Sequence, residues 1–152
     1  MSSPSEPAAG IEFSSALRFG RGSDIRLIDT GRGRSCFYLL GNNVVVSRAR
    51  GHIDVTHIEE LIAYCDRVLV RVPNIEVFHD WFGVTSYDAR VRIVMTPWVL
   101  ATRARHTGVH IGVRSALVRM GVSLVVLATN APVTTYASIA TLGAALEKAC
   151  GG

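Results

Sequence analysis

The chain has 152 residues, 49% hydrophobic and 18% charged, which excludes a disordered segment and predicts one domain with a core of its own. The formal charge is +4 and every basic residue except Lys148 is arginine; a surplus of this size attracts acidic partners weakly and does not mark a nucleic-acid binder. The longest apolar run, residues 116–133, is broken by Arg119, Gly121, Asn130 and Pro132, which argues against a membrane span of about 20 apolar residues.

Residues 1–10 are polar, carry Pro and Ser, and lack an apolar segment, so a disordered tail, no secretory signal and a cytoplasmic location are expected. Residues 11–35 read as an N-terminal extension; 11–19 show no clean period, and 25–29 are expected to form a short strand. The folded domain is expected over 36–150. Residues 36–40 and 44–48 read as a hairpin, because Gly41-Asn42-Asn43 between them tolerate positive φ. Thr56 and Glu59 have capping-box spacing. Ile58, Leu61, Ile62, Cys65, Val68 and Leu69 then recur at helical period, predicting an amphipathic helix that ends near Arg71, before Pro73.

Next, residues 75–81 read as the central strand, 82–84 as a turn, and Thr85-Ser86-Tyr87-Asp88 as the opening of a second helix. Tyr87, Val91, Val94, Met95, Trp98 and Ala101 share one face of it; Asp88, Arg92, Thr96 and Arg103 share the other. Asp88 and Arg92 are spaced to pair, worth ~0.3–0.5 kcal/mol when exposed. Pro97 removes the bond to the Ile93 carbonyl, which predicts a kink or a restart capped by Thr96. His106-Thr107-Gly108 read as a helix stop and 109–113 as a strand. Ser115 is placed to cap a third helix over 116–128, apolar nearly all round and therefore expected to be buried. After Asn130-Ala131-Pro132, residues 133–136 read as extended, and Ser138 opens a last helix that buries Ile139, Leu142 and Leu146. This alternation predicts a single α/β domain, a mixed sheet of four to five strands packed with about four helices.

Little in the chain points to covalent or metal chemistry. Cys36, Cys65 and Cys150 are odd in number and lack metal-ligand spacing, which predicts free thiols, the first two in the core. His52 and His57 straddle a helix start with no third ligand in view, so no metal is expected. Gly20-Arg21-Gly22 and Gly31-Arg32-Gly33 do not precede helices, as a phosphate loop requires. No nucleophile–base pairing stands out, so neither an enzyme nor a cofactor is expected.

The candidate binding or regulatory residues lie where strands pass into helices: Asp80, Thr85, Ser86 and Tyr87 after the central strand, Arg114 and Ser115 after the next. A hydroxyl at Thr85 or Ser86 either caps the helix or accepts a phosphate that the helix dipole stabilises. Asp80 is expected to accept local hydrogen bonds rather than to act with His79 as an acid/base or anchoring pair; Arg114 with Ser115 has the make-up of an anion pocket, or Arg114 pairs with Asp80 or Asp88. Tyr87 and Trp98 read as core. Arg90, Arg92, Arg103, Arg105 and His106 make the second helix basic, either a solvated face or a docking face for an acidic partner.

Three strings in this order, Phe78-His79-Asp80-Trp81, Ser86-Tyr87-Asp88-Ala89-Arg90 and Leu117-Val118-Arg119-Met120-Gly121-Val122, resemble the STAS/SpoIIAA-like group of small bacterial domains over roughly residues 36–149. The last two strings are similar to uncharacterised relatives rather than to the anti-sigma-factor antagonists. The resemblance implies a non-enzymatic regulatory module that contacts a protein partner, with a phospho-switch in the antagonist branch. There an Asp-Ser-Gly pattern carries the phosphorylated serine; here Asp80 is followed by Trp81-Phe82-Gly83-Val84, and hydroxyls come only at Thr85 and Ser86. A homodimer through a strand edge near Val44 to Val46 is a further expectation. The alternative implied by the same topology is a small apolar ligand or lipid-binding domain, which an apolar cavity beneath the second and third helices would favour.

Overall fold

The computed structural model of the chain describes residues 22–151; the tail and residues 11–21 of the extension lie outside them. The order is β1 (Ser23–Asp29), β2 (Gly33–Leu40), β3 (Val44–Ile53), α1 (Val55–Arg71), β4 (Ile75–Tyr87), α2 (Arg90–Thr102), a 3₁₀ turn (Arg103–Arg105), β5 (His106–Val113), α3 (Ala116–Thr129), β6 (Val133–Tyr136) and α4 (Ile139–Gly151). The strands form one sheet in sequence order, β1-β2-β3-β4-β5-β6. The first three are antiparallel and β3 to β6 are parallel. The sheet therefore has six strands, not four to five: Ser23–Asp29 pairs along β2, and Val133–Tyr136 pairs with β5.

Sequential order fixes where the helices go. Each crossover from β3 to β6 steps one strand further in the same direction, and right-handed crossovers then place α1, α2 and α3 on one face. On that face Phe37, Val45, Ile53, Ile75, Val77 and Val113 meet Ile58, Leu61, Cys65 and Val68 of α1 and Val118 of α3. The opposite face carries a second core, in which Tyr38, Val46, Phe78 and Phe82 meet Leu142 and Leu146 of α4. Three helices crowd over strands wide enough for two. α1 lies on β2 to β4 and α3 on β4 and β5, whereas α2 packs chiefly against α1 and α3. Only Val91 of α2 is buried, and Ile93 and Leu100 face outward.

Several expectations are corrected. The N-cap of α1 is Asp54, whose carboxylate accepts from the Thr56 and His57 N–H groups, so Thr56 lies inside the helix and the Thr56/Glu59 capping box does not form. The segment 82–84 is not a turn: β4 continues through it to Tyr87, pairing Gly83 with Arg50 and Val84 with Gly51 beyond a register shift. A glycine in a strand marks a bulge as readily as a turn, and here Gly83 lies at the irregularity that returns Val84 to the helical face. Thr85, Ser86 and Tyr87 are thus strand residues, and α2 begins at Arg90 after Ala89. Pro97 lies within a continuous α2 rather than restarting it. His106 to Gly108 open β5 instead of closing a helix. Val44 to Val46 are no edge, since they pair with β2 on one side and β4 on the other.

Candidate functional site

The space that sequential topology leaves between α2 and the sheet is not filled. An apolar cavity of about 100 Å³ lies there, floored by Val77, His79, Trp81, Val109 and Ile111, and roofed by Met95, Trp98, Val122 and Val125 among others. Its lining on α2 runs from Val91 to Val99, eight steps of helical rise, so it extends about 12 Å along the helix. α3 supplies a valine-rich wall and Gly121, against which the Tyr87 ring lies so closely that a Cβ would meet its hydroxyl at 2.5 Å. The third helix is not entombed as expected: Val118, Gly121 and Thr129 are buried, while Leu117, Met120, Leu124 and Leu127 are exposed, the last at 82%.

Few polar groups reach the cavity. Buried His79 shares the Ser47 hydroxyl with Trp81: Trp81 Nε1–H donates to Ser47 Oγ at 2.9 Å, and Ser47 Oγ lies 3.0 Å from His79 Nδ1. The arrangement that satisfies all three has the Ser47 hydroxyl donating to Nδ1, which leaves the proton of a neutral His79 on Nε2. Burial, with His106 and His110 nearby, pushes the His79 pKa down to about 3, so the ring is uncharged at neutral pH. His106 donates from Nδ1 to the Thr102 carbonyl at 2.9 Å and packs edge-on against Trp98; burial lowers its pKa as well. Trp98 is held by a 2.8 Å bond from Nε1–H to Asp66 on α1. Arg92 is the exception to this satisfaction. Its Nε is buried and has no hydrogen-bond partner among the described residues. The expected Asp88–Arg92 pair is not made; Asp88 Oδ1 instead accepts from the Arg90 N–H at 2.9 Å.

The residues singled out from sequence divide between the two faces. Tyr87 lines the cavity, as does Trp98. Ser86 bonds across strands to His52 Nδ1 at 2.8 Å, and Thr85 is exposed in β4, so neither stands at a helix N-terminus. Asp80 points to the other face, where it forms a buried 3.2 Å ion pair with Arg48. Burial raises the Asp80 pKa, opposed first by the Arg48 charge. Arg114 is not the ion-pair partner of Asp80; it is exposed and lies 5.9 Å over the Phe82 ring. Ser115 is the α3 cap, accepting from the Val118 N–H at 3.4 Å. The β4 and β5 ends are neighbours, with Trp81 opposite Val113, but pleating separates Asp80 from Tyr87.

Other polar contacts were not foreseen and do not assemble an attacking group. Ser35 and Ser47, bonded to His57 and His79, are themselves 1% and 0% exposed and out of a substrate's reach. On the α4 face His110 bridges Glu76 Oε2 and the Tyr136 hydroxyl, both at 2.7 Å, tying β4, β5 and β6 together. Burial and the Glu76 charge raise the Tyr136 pKa, which disfavours a phenolate nucleophile. Cys36 and Cys65 are buried thiols pushed up to about 12, while Cys150 is exposed. Among the described residues no cluster of His, Cys, Asp and Glu has the make-up of a metal site, and no helix is long and apolar enough to cross a membrane.

No family model matches the chain, and no curated protein does. Among solved structures it is similar to an uncharacterised protein of the DUF3478 family with a SpoIIAA-like fold from Shewanella loihica PV-4. The TM-score is 0.50 at 11% identity, over 75% of this chain and 85% of that one. At that identity the likeness is one of architecture, and the chain has a SpoIIAA-like fold.

Proposed function

We propose that this chain is a non-enzymatic binding domain that holds a small apolar molecule between α2 and the sheet. The observation that carries this reading is the apolar cavity of about 100 Å³ under the helix that packs least on the strands. An empty apolar space in a protein core is destabilising, so its retention has to be offset by something, and ligand binding is the usual offset. Both tryptophans of the chain, Trp81 and Trp98, line the space and report on it directly. The test is titration with a neutral fluorescent probe, aminoanthracene, against wild type and Val125→Phe. Saturable binding at one site, weakened at least about tenfold by the larger side chain, supports the reading. Absence of saturable binding, or indifference to Val125→Phe, overturns it.

A regulatory role through protein contact is the second reading. It is favoured by the outward stripe of Leu117, Met120, Leu124 and Leu127 on α3. Between Asp88 and Glu147 the chain carries six arginines and no carboxylate, and Arg119 lies on α3 itself, so an acidic partner would suit this side of the molecule. Cross-linking of the purified protein in its native lysate, compared with a Leu124→Glu, Leu127→Glu double variant, tests it; identical adducts from both count against this face.

A further inference from the structure

Resting on the apolar-ligand reading, we propose that the cavity takes an anionic single-chain amphiphile, a straight-chain carboxylate whose head group is held by Arg92. The lining determines the chain. It is apolar, runs about 12 Å along α2 and encloses only about 100 Å³, a length and volume suited to one alkyl chain rather than two. Met95 and the flat faces of Trp81 and Trp98 adapt to such a chain.

The head group is set by what Arg92 lacks. Guanidinium Nε–H groups are strong donors that cannot be silenced by deprotonation, and a buried donor without an acceptor is costly. Arg92 Nε is buried at the cavity without a partner among the described residues, whereas His79, Trp81, Trp98 and His106 each make a hydrogen bond. The nearest acid along its own helix face, Asp88, accepts from the Arg90 N–H and does not reach Arg92 Nε. α2, β5, α3 and β6 contribute no carboxylate at all. No acceptor among the described residues reaches Arg92 Nε, and the proposed ligand's carboxylate takes that place. Arg92 is only partly buried and sits in the first turn of α2, near the carboxyl end of β4. An anion there keeps part of its hydration, and the guanidinium fork meets a carboxylate through two parallel bonds. His79 and His106, further along the space, are neutral and hydrogen-bonded, and so do not compete for the charge.

The test follows tryptophan fluorescence during titration with decanoate and, separately, with decanol, which has the same chain without the charge. Wild type is expected to bind decanoate at least about tenfold more tightly than decanol, equivalent to ~1.4 kcal/mol. Arg92→Gln is expected to bring decanoate down to the affinity of decanol while leaving decanol within about twofold of wild type, retained decanol binding showing that the fold survives. Equal wild-type affinities for the two chains, or a preference for decanoate that persists in Arg92→Gln, overturns the head-group assignment and leaves the apolar site standing. Failure of wild type to bind either chain overturns the apolar-ligand reading, and the assignment with it.

Discussion

Enlarging a side chain in a close-packed core destabilises a protein; enlarging one that faces an empty space does the reverse. This difference of sign makes Val125→Phe and Val109→Phe informative, because one lines the cavity from α3 and the other from β5. At roughly 24 cal/mol per Å³ of residual void, a space of about 100 Å³ costs about 2 kcal/mol of folding stability. A phenyl ring entering from either side replaces much of that void, so each variant is expected to gain about 1 kcal/mol or more, less any rotamer strain. The assay is equilibrium unfolding in urea followed by circular dichroism, in protein stripped of apolar molecules by reverse-phase treatment and refolding. A packed interior would instead show a loss of about 1–3 kcal/mol in both variants. That loss, with unchanged m-values, would refute the cavity and the function built on it.

The remaining predictions concern the polar network and the roof. Burial lowers the His79 pKa to about 3, from about 6.5 in the unfolded chain, so its contribution to stability is complete above about pH 6.5 and is lost progressively as pH falls toward about 3. His57 and His106 shift in the same sense, and urea titrations at falling pH should show His79→Gln flattening the profile. Asp80→Ala leaves the Arg48 cation buried on the α4 face and is expected to cost about 3–5 kcal/mol, much of it recovered when Arg48→Met is added; thermal melts of the single and double variants check this. Ser86→Ala removes one cross-strand bond to His52 and should cost only about 1 kcal/mol by urea unfolding. Backbone amides of α2 should exchange with deuterium faster than those of α1 and slow on addition of decanoate, because α2 rests on other helices and contains Pro97.

The layout of the sheet was legible because it is written in local patterns. Gly41-Asn42-Asn43 does join two antiparallel strands, and the apolar spacing from Ile58 to Leu69 does form one helix facing the core. Gly83 misled because the same residue serves a turn and a bulge, and only pairing with Arg50 on β3, more than thirty residues earlier, separates the two. Displacing the helix start from Thr85 to Arg90 moved Thr85 and Ser86 away from a helix N-terminus and removed the geometric basis for a phosphate there. The cavity was indicated only obliquely, by a third helix apolar on all sides. Such a helix reads as largely buried, whereas its valines line a space and its leucines meet solvent. Arg92 read as one more solvated arginine spaced to pair with Asp88; instead its Nε is buried, and Asp88 serves the α2 backbone.

The central claim is that an apolar space lies open to a small molecule between α2 and strands β4 and β5. Crystals of the protein pressurised with xenon test it without any assumption about the natural ligand, since xenon enters dry apolar cavities and avoids packed or hydrated ones. An anomalous peak bounded by Trp81, Met95, Trp98 and Val125, absent in Val125→Phe, is the predicted result. Xenon found elsewhere, with that space filled by side chains or ordered water, would contradict it.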